Sequence, residues 1–160
     1  MEQKRIVSGV AVDMNPTKIT IVGVPDKPGV AATIFSALAD AAINVDMIIQ
    51  NINRGELNDI TFTTGAEDLP KALDVLKTLK KQLKHKSIIT DEKVAKVSIV
   101  GAGMVSHPGV ASRMFKALGK ATINIQSIST SEIKVSCLID RKQAQKAINV
   151  LHKEYNLDKK

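Results

Sequence analysis

The chain carries one block of sequence twice. Pro28-Gly29-Val30-Ala31 recurs as Pro108-Gly109-Val110-Ala111. With that offset of 80 held across residues 28–45 and 108–125, ten of eighteen positions are identical: Pro28, Gly29, Val30, Ala31, Phe35, Ala37, Leu38, Ala41, Ile43 and Asn44. Just upstream, Ile19-Thr20-Ile21-Val22-Gly23 aligns with Val97-Ser98-Ile99-Val100-Gly101 at an offset of 78, so the second repeat has two extra residues between its first strand and its helix. A chain of 160 residues divided this way gives two modules of about 75–80 residues, each small enough to gain from packing on a neighbour. Two copies are too few for a solenoid. The expectation is a duplicated module with pseudo-twofold halves.

Each repeat reads as the same string of elements. In the first, residues 18–24 are β-branched and alternating, which predicts a strand. Asp26-Lys27-Pro28-Gly29 is a loop into a helix, with Pro28 near the first helical position, where its missing N–H costs nothing. Val30, Ile34, Leu38 and Ala41 recur at helical spacing, flanked by Ala31 and Phe35. Residues 45–50 predict a strand with Val45, Met47 and Ile49 on one face. Arg54-Gly55-Glu56 is a hairpin turn, and residues 59–64 return with Ile60 and Phe62 inward. Asp68 is positioned to cap a helix with Pro70 in its first turn and Ala72, Leu73, Leu76, Leu79 and Leu83 as its stripe. Residues 87–90 add a fourth strand. The order is βαββαβ: an α+β, ferredoxin-like unit, with an antiparallel sheet and both helices on one face. The second repeat gives strands at 94–101, 125–129 and 133–139 and helices at 109–121 and 141–155, the last with Asp140 as cap. It lacks a fourth strand. The spare strand at 6–12 is expected to complete it. The units are therefore 16–92, and 93–158 together with 5–13.

Composition narrows the function classes. No apolar run approaches the roughly 20 residues of a membrane span, and Met-Glu-Gln-Lys-Arg has no signal-peptide core. One cysteine, Cys137, excludes an intrachain disulfide and fits a reducing cytoplasm. The net charge is +7, with Lys71, Lys77, Lys80, Lys81, Lys84, His85 and Lys86 clustered on one predicted helix and its exit. Such a cluster binds nucleic acid or anionic lipid, or is a solvated helix face. The second reading is favoured, because only Phe35, Phe62, Phe115 and Tyr155 are aromatic and no base-stacking platform accompanies the lysines. Neither a nucleic-acid nor a membrane partner is expected.

Catalytic signatures are missing. His85, His107, His152 and Cys137 have no metal-ligand spacing, and no Gly-x-Ser-x-Gly occurs. Gly101-Ala102-Gly103 mimics the start of a dinucleotide fingerprint, but Ser106 stands at the third glycine position and Pro108 follows. What remains is the repeated helix entrance. Gly29 offers bare backbone, and the first amides of the helix, near Gly29, Val30 and Ala31, have no internal acceptor. The dipole there favours an anion. A carboxylate fits, and Asp26 can take an ammonium, which together make a reader for a free α-amino acid. The alternative is a tight loop that uses glycine for geometry alone. Spacing leaves the two even.

At these residues the chain resembles a known family. Val24-Pro25-Asp26-Lys27-Pro28-Gly29-Val30-Ala31, with Ile43-Asn44-Val45-Asp46-Met47-Ile48, resembles an ACT domain. Val7-Ser8-Gly9-Val10-Ala11 and Ser129-Thr130-Ser131-Glu132-Ile133 are similar to local signatures of the tandem ACT regulatory region of aspartate kinase. The likeness runs from about Val7 to Leu157. It implies βαββαβ units that bind amino acids at their interfaces, with L-threonine and/or L-lysine as feedback effectors of aspartate phosphorylation. It also implies a catalytic kinase subunit as partner, a homodimer formed through ACT units, no cofactor and no catalysis by this chain alone. Met1 standing directly ahead of the pair is similar to a separate regulatory subunit, or to an excised fragment. By the same resemblance Asp26, Pro28, Gly29, Val30 and Ala31 form the effector loop (25–31), and Gln50 adds a polar contact. The second repeat departs, with Ser106, His107 and Thr130 in place of Asp26, Lys27 and Gln50. It is expected instead to lend Asn124, Ile125 and Gln126 across a twofold interface. The alternative is an ACT-type amino-acid sensor unattached to a kinase.

Overall fold

A computed structural model describes residues 6–53 and 55–157. Arg54 of the expected hairpin, and residues 5 and 158 at the expected unit limits, lie outside the described residues. The chain divides into two compact units, one from Asn15 to Glu92 and one from Lys93 onward together with the segment up to Met14.

The first-repeat unit begins with β2 (Pro16–Pro25), after β1 (Gly9–Asp13) of the other unit. It continues with α1 (Val30–Asp40), β3 (Ile48–Ile52), β4 (Leu57–Gly65), α2 (Leu69–Leu83) and β5 (Ser87–Asp91). Its sheet has the order β3-β4-β2-β5, every neighbouring pair antiparallel. Ile19 and Ile21 alternate on β2 opposite Phe62 and Ile60 on β4, so one sheet face is apolar. That face buries Ile34 and Leu38 of α1 and Leu69, Ala72, Leu76 and Leu83 of α2. Each of these leucine and isoleucine side chains contributes about 1.5–3 kcal/mol when fully buried. Phe35 meets Phe62 edge-on at 5.7 Å between ring centroids.

The second-repeat unit comprises β6 (Val94–Val100), α3 (Val110–Lys120), β7 (Ser127–Thr130), β8 (Lys134–Asp140) and α4 (Ala144–Glu154). Its sheet order is β1-β6-β8-β7. The spare N-terminal strand pairs antiparallel with β6, Gly9 opposite Val100 and Asp13 opposite Lys96. It takes the place that β5 holds beside β2. Both units are thus complete βαββαβ-type sheets, and the second reaches back over the first in sequence to find its fourth strand. Met114, Leu118, Ala147 and Leu151 close its core over Val97, Ile99, Cys137 and Ile139.

Local details differ from the sequence reading. Asp68 makes no capping bond with its side chain. A 3₁₀ turn, Ala66–Asp68, precedes α2 and puts Asp68 in helical conformation, too late to cap. Asp140 does cap, but it caps the 3₁₀ turn Arg141–Gln143, accepting from the Lys142 N–H. Val45, Met47 and Ile49 do not form one stripe. Val45 packs on the core, whereas Ile49 lies opposite Thr61 on the other face, and Ile48, Gln50 and Ile52 share the face of Phe62, Ile60 and Asn58. Strand pairing settles into regular alternation only at Ile48.

Both repeat helices end in the same way. Ile43 N–H reaches Leu38 C=O and Ala42 N–H reaches Ala39 C=O, and Ile123 and Thr122 do the same with Leu118 and Gly119. These are paired Schellman caps, which place Ala42 (φ 57) and Thr122 (φ 60) in the left-handed region. A Cβ there is strained. Ala42→Gly and Thr122→Gly are each expected to raise stability by about 0.5–1 kcal/mol. Urea titration checks this through a higher midpoint at unchanged slope.

Candidate functional site

β2 delivers the chain to the first helix entrance through an irregularity. Its register against β4 shifts between Ile21 and Val24. Gly23 sits at the bulge with φ +73, and a Cβ there would lie 2.7 Å from Lys86 Cγ. The Gly23 N–H donates to Asp59 Oδ1 at 3.0 Å. The bulge turns Val24 inward, into the core, and sets it opposite Asn58. Asp26 then ties the loop down, its N–H donating to Glu56 C=O at 2.9 Å.

The helix begins at Gly29, whose φ of 90 is left-handed, so glycine is required by geometry. A Cβ built there meets nothing within 4 Å, so the approach to the backbone is also open. Glycine thus serves the geometry of the turn and also leaves the backbone uncovered. The first helical bond runs from Thr33 N–H to Gly29 C=O at 3.0 Å. Val30 N–H makes only a long contact of 3.4 Å with Lys27 C=O. Gly29, Ala31 and Ala32 offer amides without an acceptor in the described chain. Among the expected site residues, Asp26, Pro28, Gly29 and Ala31 are exposed and Val30 is half-buried. Gln50, exposed on β3, shares the helix-covered face. The structure thus brings the loop and Gln50 to one unit. Asn124, Ile125 and Gln126 belong to the other unit, at the corresponding entrance to β7. Asn124 and Gln126 are exposed there and Ile125 is half-buried.

The second helix entrance is built differently. Gly109 repeats the left-handed start with φ 93, but its loop passes through a 3₁₀ turn, Met104–Ser106. The rim is laced to α4. The Tyr155 hydroxyl donates to Val110 C=O at 3.0 Å. Arg113 stacks over the Tyr155 ring at 4.8 Å and pairs with Glu154 Oε1 at 2.7 Å. Burial pushes the Tyr155 phenol up to about 12. No acid replaces Asp26, since Ser106 stands there.

A shallow cavity of ≈ 320 Å³ lies at the bulge, lined in part by Gly23, Glu56, Asp59 and Lys86. None of the nine expected site residues lines it. The sequence reading also missed Asn58, which is 1% exposed with neither side-chain polar atom partnered. Its parity with Ile60 and Phe62 was the available signal.

The histidines and the cysteine are scattered. Among the described residues no group of three or more His, Cys, Asp or Glu could hold a metal. His107 Nδ1 bonds Gly103 C=O at 2.8 Å, and burial pushes the Cys137 thiol up to about 12. His85, counted with the basic cluster, is buried at the exit of α2, and its Nδ1 has no partner. Burial, with Lys80 nearby, lowers its pKa below the usual 6.5. The unfolded chain then binds the proton first, so stability falls as pH drops through about 6.5 and levels off once the folded histidine also titrates. His85→Leu is expected to flatten the pH dependence of the thermal midpoint between pH 5 and about 7, measured by scanning calorimetry.

Two βαββαβ units, each with a glycine-opened helix entrance, define a tandem ACT arrangement. Two family models described as ACT domain match residues 18–81 and 97–155. An aspartokinase of Helicobacter pylori is 52% identical over 153 residues, 96% of this chain and 37% of its own length. The crystal structure of aspartokinase alpha and beta subunits includes a chain 50% identical to this one. The alignment has a TM-score of 0.87 and covers 94% of this chain and 99% of that one. The ligand-free regulatory subunit of aspartate kinase from Thermus thermophilus is 37% identical with a TM-score of 0.88, covering 93% and 98%. The chain belongs to the tandem-ACT regulatory family of aspartate kinases. It spans only 37–38% of the length of its curated relatives. None of its described helices is long and apolar enough to cross a membrane.

Proposed function

We propose that this chain is an allosteric regulator of aspartate phosphorylation that binds a free amino acid at the α1 entrance of its first-repeat unit. The observation that carries the reading is the combination at that loop. Amides of Gly29, Ala31 and Ala32 have no acceptor in the described chain, a Cβ at Gly29 would meet nothing within 4 Å, and the Asp26 carboxylate is exposed three residues upstream of Gly29. The amides and helix dipole take an α-carboxylate, and Asp26 takes the α-ammonium. L-threonine and/or L-lysine are the effectors. Pro28 and Val30 shape the loop, and Gln50 adds a polar contact. Asn124, Ile125 and Gln126 from a second copy of the chain complete the site in a homodimer. The regulated partner is a catalytic aspartate kinase subunit or domain, and this chain supplies no catalytic group.

An amino acid that touches two chains stabilises the assembled state by RT ln(1 + [L]/Kd), about 2.7 kcal/mol at a hundredfold excess. Coupling of about 1–3 kcal/mol suffices for feedback control, so the effector acts by favouring one arrangement over another. Thermal shift across the twenty L-amino acids, with sedimentation on any hit, tests this. A selective rise with threonine or lysine together with a tighter dimer supports the reading. A flat panel overturns it.

A further inference from the structure

In the first-repeat unit Thr17 Oγ1 and His85 Nδ1 are buried without a partner, but among the described residues only Asn58 leaves two side-chain polar atoms unpartnered. Asn58 is 1% exposed, and neither Oδ1 nor Nδ2 has a partner. Buried amides in folded proteins are almost always satisfied, so this one needs an explanation. Asn58 lies on the helix-covered face of β4, in step with Ile60 and Phe62. Its neighbours in register on that face are Val24 and Ile52 across the ladder and Ile60 along the strand, all apolar. None of these answers the amide, which leaves it free for a partner from outside the chain.

Its position says where from. Asn58 is directly opposite Val24, and five residues beyond Val24 the chain enters α1 at Gly29. Asn58 thus lies at the end of the sheet from which the chain leaves β2 for the α1 entrance. Gln50 is on the same face, opposite Ile60. The second repeat has no amide at the matching place, where the residue is 58% exposed. The ladder pairs Ile19 with Phe62 in one unit and Val97 with Cys137 in the other. On that correspondence Asn58 matches Ile133. The polar residue is found only in the repeat that also carries Asp26.

We propose that Asn58 is the specificity-determining residue of the α1 entrance, selecting an amino acid with a hydroxyl on a short side chain. This rests on the reading that a free amino acid binds at that entrance. An amide presents an acceptor and a donor side by side. A hydroxyl answers both, donating to Oδ1 and accepting from Nδ2. The ammonium of lysine only donates and leaves Nδ2 unanswered. A methyl answers neither.

Calorimetric titration of the full chain with L-threonine, L-valine and L-lysine tests this, valine being threonine with a methyl in place of the hydroxyl. The wild type is expected to bind threonine at least about 100-fold more tightly than valine, because a site built to bond a hydroxyl rejects the analogue without it. In Asn58→Leu the ratio falls below about tenfold, chiefly through weaker threonine binding. Asn58→Val, of smaller volume, guards against overpacking. The ligand-free thermal midpoint of at least one of these variants should match or exceed that of the wild type, because the unpartnered amide is gone. A folded variant that keeps the wild-type ratio overturns the inference, as does a wild type that prefers valine or lysine. If Asp26→Ala leaves threonine binding intact, or if none of the three amino acids binds the wild type, the reading of the site itself fails, and this inference with it.

Discussion

Gly101→Ala is expected to destabilise the second-repeat unit by at least about 3 kcal/mol, the upper range for forcing a group into a packed interior. The glycine is buried, and an added Cβ would lie 1.8 Å from the Ile6 carbonyl oxygen and 3.0 Å from the Val7 Cα. Both obstacles are backbone, so no side-chain rotation relieves them. The strand cannot retreat on its other side either, because Gly101 N–H is bonded to Ile133 C=O at 2.9 Å. The remaining outlet is to push the N-terminal segment away. That loses the Ser8 bond to Val100 and exposes Val7, which is otherwise 5% exposed in the core. Calorimetry should show the thermal midpoint of this unit falling by more than about 10 °C, while the transition of residues 15–92 stays put. Gly119→Ala is the control. It lies inside α3 with open space around it and should gain up to about 1 kcal/mol of helix propensity. Equal losses from both substitutions would show that contact at Ile6 is not the cause.

Asp26→Ala is expected to remove amino-acid binding while leaving the fold intact. The side chain is exposed, and the loop is held by the backbone bond from Asp26 to Glu56, which alanine keeps. The loss falls on the ligand's ammonium, left desolvated at a site that no longer pairs it, at a cost of about 2–5 kcal/mol. That is about 30-fold to several thousandfold in Kd. The about 2.7 kcal/mol of stabilisation expected from a hundredfold excess of effector should fall to about 0.9 kcal/mol or less at the same concentration. Ser106→Ala, at the matching position of the second repeat, should change the ligand-induced shift little. Comparable losses from the two variants would mean that both entrances bind.

The repeat made most of the architecture legible. Its alternating and helical periods marked the strands and helices, and the missing fourth strand pointed to the spare one near the N-terminus. The departures lie where one residue changes parity. At Gly23 the register shift turns Val24 inward, and no period of two announces that. Between Val45 and Met47 the chain has not yet entered β3, and its alternation becomes regular only from Ile48. Asp68 has the composition of a cap, but it is drawn into a preceding 3₁₀ turn, a choice made by the geometry of the turn. His85 reads as one more charge on a basic helix, yet tertiary packing buries it. For the site, loop and glycine were visible as a pattern, and the left-handed φ of Gly29 explains the pattern. Asn58 went unseen because a polar residue beside a turn looks solvent-exposed until the ladder places it on the covered face.

The pairing of β1 with β6 also governs the order in which the molecule can mature on the ribosome. Gly9 waits for Val100, some 90 residues later, which at about 5–20 residues per second is roughly 5–20 s of synthesis. Through that interval residues 15–92 hold every strand of their own sheet and are free to fold first. The leading strand meanwhile remains an unpaired edge, able to recruit the wrong partner. Translation speed between the two repeats is therefore a lever on yield. Slowing it lengthens the exposure of β1, and supplying residues 93–157 early, as a separate chain, should capture it.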